Sequence, residues 1–171
     1  MTALVIYESM FGSTRDVANA VAAGLATRMQ VRVVEVSAAP TVLDEDVRLL
    51  VVGGPTHAFS MSRESTRKSA AEQAPEGLVS TGGGIREWLD ALHPGSVRPP
   101  VATFDTKVSK PKMPGSAAAA AERRLRKLGF QPAVRHESFW VTGTKEPIAA
   151  SEVDRARSWG EQLAAAVTAR T

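Results

Sequence analysis

The fold of this chain is decided near its start, by residues 3–18, which read ALVIYESMFGSTRDVA. The stretch begins as an apolar run of strand length and ends in a helical pattern, whose apolar residues recur at spacings of three and four. Between them lies a short polar turn with three hydroxyl side chains, Ser9, Ser13 and Thr14. The sequence therefore predicts a strand, a turn and a helix in direct succession.

Such a turn is well suited to an anion. A turn from a buried strand into a helix directs backbone N–H groups and the positive end of the helix dipole to one point. Gly12 also lets the backbone come close to a ligand. We therefore predict a phosphate monoester site at this turn. The alternative is an ordinary strand–helix turn in which Thr14 caps the helix.

Composition limits the class of protein. The chain has 171 residues, of which 43% are hydrophobic and 23% are charged, and its net charge is only +3. This length favours a single domain over residues 1–171. No apolar run reaches the ~18 residues of a membrane span, and so small a net charge does not argue for nucleic-acid binding. The chain has no cysteine and no signal-peptide pattern, so we expect a cytoplasmic protein.

Strand and helix patterns alternate along the whole chain. The predicted strands are residues 4–7, 31–36, 49–54, 101–106 and 133–141. The predicted helices are residues 14–28, 63–73, 85–92, 116–128 and 151–169. This alternation favours a parallel sheet with helices on both faces. Ligands of such sheets bind beyond the carboxyl ends of the strands, here in the loops 8–14, 55–62 and 107–115. We interpret residues 65–84 as a mobile excursion.

Three short motifs stand at the ends of predicted strands: SMFGST at 9–14, GPTH at 54–57 and TKVS at 106–109. The first resembles the phosphate loop of the flavodoxin family, whose usual pattern is Thr/Ser-x-Thr-Gly-x-Thr. The other two resemble the family's second and third flavin-binding loops. The resemblance covers essentially the whole chain in element order. It implies a flavodoxin-like three-layer α/β/α sandwich around a five-stranded parallel sheet, with strand order 2-1-3-4-5.

The resemblance also implies FMN as the cofactor and assigns residues to it. The FMN phosphate would be held by Ser9, Met10, Phe11, Gly12, Ser13 and Thr14. One side of the isoalloxazine ring would be lined by Pro55, Thr56, His57, Ala58 and Phe59. The other side would be lined by Thr106, Lys107, Val108 and Ser109. The resemblance assigns no catalytic residue, and no His, Asp or Glu spacing is typical of a metal site.

The function implied by the resemblance is electron transfer through bound FMN, with the protein supplying position and electrostatics. It leaves open an electron carrier with a redox partner protein and an NAD(P)H-dependent reductase of quinone-like acceptors, so enzyme status stays open. Two departures from the family support another class of function. Phe11 replaces a hydroxyl residue, and the third loop has no aromatic residue. The alternative is therefore a flavodoxin-fold binding or regulatory module with weak or lost flavin binding.

Charged residues near the predicted site have two interpretations. Electron-carrier flavodoxins are usually acidic, whereas Lys107, Lys110 and Lys112 lie in or beside the predicted rim. A basic rim suits an anionic substrate, a nicotinamide dinucleotide phosphate or an acidic partner, and the alternative is ordinary solvated charge. His57 is either a proton relay to substrate, or flavin contact, or a plain loop residue. Because a carboxylate would repel the phosphate, we expect Glu8 to face outward or pair with an arginine.

Overall fold

The computed structural model describes residues 1–170. Within them the strands are β1 (Thr2–Tyr7), β2 (Gln30–Glu35), β3 (Val47–His57), β4 (Ser60–Met61), β5 (Val101–Val108) and β6 (Glu137–Val141). The helices are α1 (Ser13–Leu25), α2 (Glu64–Glu72), α3 (Ile85–Ala91), α4 (Ala117–Lys127) and α5 (Ala150–Thr168), with a 3₁₀ turn over Val36–Ala38. In this part of the chain no helix is both long and apolar enough to cross a membrane.

Five of the strands form one parallel sheet in the order β2-β1-β3-β5-β6. This is the predicted order 2-1-3-4-5, and the predicted fold class is confirmed. The sixth strand, β4, pairs antiparallel with the end of β3 through Thr56–Met61 and His57–Ser60. The prediction of a loop over residues 55–62 was therefore wrong, because this backbone satisfies its hydrogen bonds as a tight hairpin.

Helices cover both faces of the sheet. α1 and α5 pack on one face, where Phe104, Phe139 and Trp159 meet edge to face with ring centroids 6.0–6.2 Å apart. α3 and α4 pack on the other face against residues such as Leu50 and Phe130. The phosphate-site turn thus lies at the carboxyl edge of a sheet that is buried on both sides.

Two glycines bring α1 and α5 into backbone contact. A Cβ on Gly24 would lie 2.1 Å from the carbonyl oxygen of Arg157, and one on Gly160 would lie 2.2 Å from that of Val21. Only glycine fits at this crossing. The helix that follows the predicted phosphate loop is therefore fixed against the last helix of the fold.

Two predicted segments differ from the structure. The last strand covers residues 137–141 instead of 133–141, because the N–H of His136 donates to Glu122 on α4 (3.1 Å) instead of to a neighbouring strand. Residues 65–84 are not a free excursion. After α2 the chain returns, and the N–H groups of Val79 and Ser80 donate to the carbonyls of Met10 and Ser9 at 3.0 and 2.7 Å.

Candidate functional site

The turn from β1 into α1 has the backbone of an anion site. Gly12 adopts a left-handed φ of 109° immediately before Ser13, the first residue of α1, and no side chain caps this helix. The alternative in which Thr14 is the cap was therefore wrong. Helix starts that lack a side-chain cap keep their first N–H groups available for a ligand.

Several N–H groups of the turn point to no protein acceptor. Among the described residues, those of Met10, Phe11, Ser13 and Thr14 donate to no protein atom. The N–H of Gly12 is satisfied by Ser9 Oγ (3.2 Å). Successive free N–H groups around a left-handed glycine form a concave nest that binds anions. The backbone of this turn therefore fits a phosphate group.

Three hydroxyl side chains hold the turn in place. The buried Ser9 packs beneath it, and its own N–H donates to Ser80 Oγ (2.9 Å). Thr14 Oγ1 shares a hydrogen bond with Thr106 Oγ1 (2.7 Å), which ties the first turn of α1 to β5. Ser13 Oγ donates to the Glu146 carbonyl at 3.4 Å, a long bond that an incoming anion can replace.

A cleft of about 440 Å³, open to solvent, lies beside this turn. Its first wall consists of Ser9, Met10, Phe11, Ser13 and Thr14. Its second wall includes Pro55, Thr56, His57, Thr106 and Val108. Residues from all three predicted loops therefore line one space, at the carboxyl ends of β1, β3 and β5.

An adjoining groove of about 610 Å³ continues the cleft between the β3–β4 hairpin and the loop after β5. The groove and the cleft share Thr56 and Val108. Ala58, Phe59 and Lys107 line the groove, opposite Met113 and Pro114. Of the predicted site residues, Gly12 and Ser109 line neither space; Gly12 bends the turn, and the N–H of Ser109 extends the β5–β6 pairing to Val141 (2.9 Å).

The groove is bounded by a hairpin of unusual composition. Its two turn residues, Ala58 and Phe59, have φ values of 45° and 73°, a left-handed conformation that hairpin turns normally give to Asn or Gly. Gly115 packs against this turn so closely that a Cβ would lie 2.1 Å from the Phe59 carbonyl oxygen. Lys107 Nζ donates to the Gly115 carbonyl (2.5 Å). The two walls of the groove are therefore joined.

A buried carboxylate that the sequence analysis missed joins the same walls from beneath. Asp105 Oδ2 accepts hydrogen bonds from Thr56 Oγ1 (3.0 Å), Ser116 Oγ (2.5 Å) and the N–H of Ala118 (3.1 Å). Thr56 Oγ1 in turn accepts from the N–H of Ala117 (3.0 Å). Asp105 therefore fixes the end of β3 to the start of α4. An acidic residue at the end of a strand, before a helix cap, was the available signal.

Glu8 lies on the other side of the sheet from the phosphate turn. It is 1% exposed and accepts hydrogen bonds from Ser62 Oγ (2.5 Å) and the N–H of Ile85 (2.8 Å). Burial raises the pKa of the Glu8 carboxyl above its usual value, against the lowering effect of these bonds and of Arg67. The expectation that it faces outward was therefore wrong, whereas the other expectation, a pairing with an arginine, is met through Ser62, whose Oγ accepts from Arg67 (2.8 Å).

His57 is half-buried in the second wall of the cleft. Burial, with a smaller effect of the nearby Arg67 charge, lowers the pKa of His57 below its usual value. The ring is therefore neutral at pH 7. Its Nδ1 lies 3.1 Å from Thr66 Oγ1, and in the described chain Nε2 has no protein partner. The Nε2 of a neutral imidazole can donate or accept one hydrogen bond, so His57 can bind a ligand through this atom.

The segment after β6 also reaches the site, which the sequence analysis did not foresee. Val141 and Thr144 line the cleft, and Lys145 Nζ lies 5.8 Å from the centroid of the Phe11 ring. The phosphate turn itself has no lysine, and Lys145 supplies a cation beside it. The segment follows the carboxyl end of a sheet strand, so topology alone was a signal for its position.

The first half of the chain carries the family signal. Residues 5–84 match the flavodoxin family model, so over these residues the chain is similar to flavodoxins. Members of that family bind FMN. The predicted resemblance and the cofactor that it implies are therefore confirmed. No curated protein sequence matches the chain.

Solved structures show the same fold over the whole chain. Oxidised flavodoxin 1 from Bacillus cereus is 15% identical with a TM-score of 0.68, covering 100% of this chain and 99% of its own. A flavodoxin from the domain Archaea is 16% identical with a TM-score of 0.65, covering 98% and 99%. Rubredoxin oxygen:oxidoreductase from the anaerobe Desulfovibrio gigas is 15% identical with a TM-score of 0.65, covering 99% of this chain but 36% of its own.

The site residues fit FMN at both ends. The free N–H groups of the turn match a phosphate monoester, and the groove is lined by apolar side chains, Phe59 and Met113 among them, that suit an aromatic ring system. The sequence analysis expected no aromatic residue in the third loop, and here Met113 occupies the opposite wall. Thioether sulfur packs favourably against aromatic rings, so this wall suits a flavin as well.

Proposed function

We propose that this flavodoxin-like protein binds FMN across the cleft and the groove and works as an electron carrier. The observation that carries the proposal is the continuity of the two spaces through Thr56 and Val108, with unpaired N–H groups at one end. Bound FMN accepts and donates electrons singly or in pairs. The protein contributes position, charge and exclusion of water.

The phosphate end would be held mainly by the backbone. The N–H groups of Met10, Phe11, Ser13 and Thr14 would donate to phosphate oxygens, with the dipole of α1 behind them. The Ser13 and Thr14 hydroxyls would add side-chain donors, and Lys145 a nearby positive charge. A phosphate dianion needs several such donors, and the turn supplies them without a lysine of its own.

The ring end would lie between Phe59 and Met113. The Asp105 hydrogen bonds and the Gly115 contact hold these walls in place before a ligand arrives. A preformed groove lowers the entropy lost on binding. His57 would offer its free Nε2 as a hydrogen-bond partner, and its neutral state leaves the charge of the site to the lysines.

Carrier function is proposed over reductase function for one reason. The two flavodoxins described above match 98–100% of this chain and 99% of their own length, which supports the flavodoxin-like alternative. An NAD(P)H-dependent reductase of quinone-like acceptors remains the competing proposal. No contact among the described residues supports the reductase that does not equally support the carrier.

The test is a titration of the apoprotein with FMN and, in parallel, with riboflavin, which lacks the phosphate. We expect FMN to bind with quenched fluorescence and at least about 100-fold more tightly than riboflavin, since charge-assisted hydrogen bonds to phosphate are worth about 1.5–3 kcal/mol each. Failure of FMN to saturate the protein would refute the proposal and favour the binding-module alternative. Steady oxidation of NADPH by the holoprotein with a quinone would favour the reductase.

A further inference from the structure

Two exposed apolar side chains lie at the rim of the groove. Phe59 is 50% exposed and Met113 is 46% exposed, and they stand on opposite walls. The other exposed large hydrophobic residues of the described chain are Met1, Val33 and Val42, none of which lines this groove. An apolar pair beside a ligand site is typical of an interaction surface.

The charges around this pair have one sign. Residues 54–63 and 106–116 contain Arg63, Lys107, Lys110 and Lys112 and, apart from the buried Asp105 just before them, no carboxylate. None of these four cations lies within 4 Å of a carboxylate in the described residues. The first carboxylate beyond the hairpin is Glu64, at the start of α2.

The cations at the groove form a local basic patch. Arg63 lies immediately before α2, and Lys107, Lys110 and Lys112 lie at and after the end of β5. A local patch of one sign orients a protein as it approaches a partner of opposite charge.

The exposed phenylalanine is held in a costly conformation. Left-handed backbone angles at residues other than glycine are strained and occur mainly at functional positions. Here they are found at Ala58 and Phe59, and Gly115 packs tightly behind them. The Phe59 side chain is therefore held by a well-defined, packed turn and not by a flexible loop.

We propose that this rim is the docking surface for a redox protein with an acidic face around its own cofactor. This proposal rests on the proposed carrier function and names the partner class. Phe59 and Met113 would form the apolar centre, with Lys110 and Lys112 as the charged periphery. A protein is favoured over a free dinucleotide phosphate because the exposed Phe59 and Met113 offer an apolar contact area that phosphate groups would not use. Electron-transfer complexes are small and weak, and charge steers their association.

The test uses ¹⁵N-labelled holoprotein and two protein probes, an acidic plant-type [2Fe–2S] ferredoxin and a basic cytochrome c. At about 20 mM ionic strength we expect the ferredoxin to perturb the amides around Phe59 and Met113, and cytochrome c to leave them unchanged. At about 200 mM ionic strength the apparent affinity should fall about tenfold, because the Debye length becomes shorter than the separation of the charges.

Paired charge reversals provide the control. Lys110→Glu with Lys112→Glu should weaken ferredoxin binding about tenfold or more, whereas Arg123→Glu with Lys127→Glu, the same change of charge on α4, should change it less than about twofold. Equal effects of the two pairs, binding at another surface, or a preference for cytochrome c would overturn the proposal. The proposal would also be overturned if the Lys110→Glu, Lys112→Glu variant lost binding of NADPH but kept binding of the ferredoxin.

An FMN titration separates this proposal from the carrier proposal. Lys110 and Lys112 line neither the cleft nor the groove, so the reversed variant should still bind FMN. If the native protein binds FMN but not ferredoxin, only the docking surface is refuted. If it does not bind FMN at all, the carrier proposal is refuted at its first step.

Discussion

The buried hydroxyl pair of Thr14 and Thr106 allows the strongest test of the site. The two side chains are 2% and 6% exposed, and their oxygens lie 2.7 Å apart. One hydroxyl proton serves the shared bond, and the other proton is free. If Thr106 donates to Thr14, the proton of Thr14 is available to a phosphate oxygen.

Replacing one partner leaves the other hydroxyl buried and unpaired. Thr14→Val or Thr106→Val should therefore each lower the free energy of unfolding by about 1–3 kcal/mol. For a chain of this length each 1 kcal/mol corresponds to a fall of about 2–4 °C in Tm. The double variant removes both polar groups and nearly keeps the shape, so its stability should return close to that of the native protein.

FMN affinity should follow a different order. Thr14→Val removes a donor to a charged group and should weaken FMN binding about tenfold or more, whereas Thr106→Val keeps the Thr14 hydroxyl and should leave binding within about threefold. The double variant should bind as weakly as Thr14→Val. The assays are urea unfolding of the four apoproteins, followed by circular dichroism, and fluorescence titration with FMN.

Three results would each refute part of this reasoning. A double variant as unstable as the sum of the single variants would mean that the hydroxyls do not depend on each other. Equal losses of FMN affinity in the two single variants would mean that Thr14 acts on the fold of the turn and not on the phosphate. Unchanged FMN affinity in all three variants would assign phosphate binding to the backbone alone.

Three further substitutions test other parts of the structure. Burial in the native state raises the pKa of Glu8 above its usual value of 4.5, so the unfolded state releases this proton at lower pH and stability falls as pH rises from 4.5 through the folded pKa. Glu8→Gln should abolish this decline in urea unfolding, and parallel pH profiles of the two proteins would contradict the assignment. Gly115→Ala, at φ 87° and against the Phe59 carbonyl, should weaken FMN binding about tenfold through displacement of the groove wall, as titration would show. Gly160→Ala should lower the free energy of unfolding by about 1–3 kcal/mol despite better helix propensity, and a higher Tm would argue against the close contact with Val21.

The parts that follow from periodicity and chain order could be predicted. The alternation of patterns predicted the parallel sheet, and the resemblance to the flavodoxin family implied its strand order. The hydroxyl-rich turn at 9–14 indicated the phosphate end of the site. The orientation of Glu8 was also within reach, because residues two apart on a strand share a face, and Leu4, Ile6 and Glu8 all point away from α1.

The rest depended on contacts between distant segments. An Ala58-Phe59 hairpin has no turn residue that marks it, so the sequence favoured a loop. Met113 and Lys145 reach the site only because the loops after β5 and β6 fold toward it, which no local pattern reports. Likewise the net charge of +3 contains no information about the basic patch at the groove.

The glycine contact between α1 and α5 has a consequence for biosynthesis. The phosphate turn is synthesised before α5, and α1 obtains this packing partner only when α5 has been made. A nascent chain that lacks α5 still exposes the apolar face of α1 and cannot fix the turn. We therefore expect FMN to be captured after translation, and a ribosome-bound chain stalled before residue 150 to have no affinity for it.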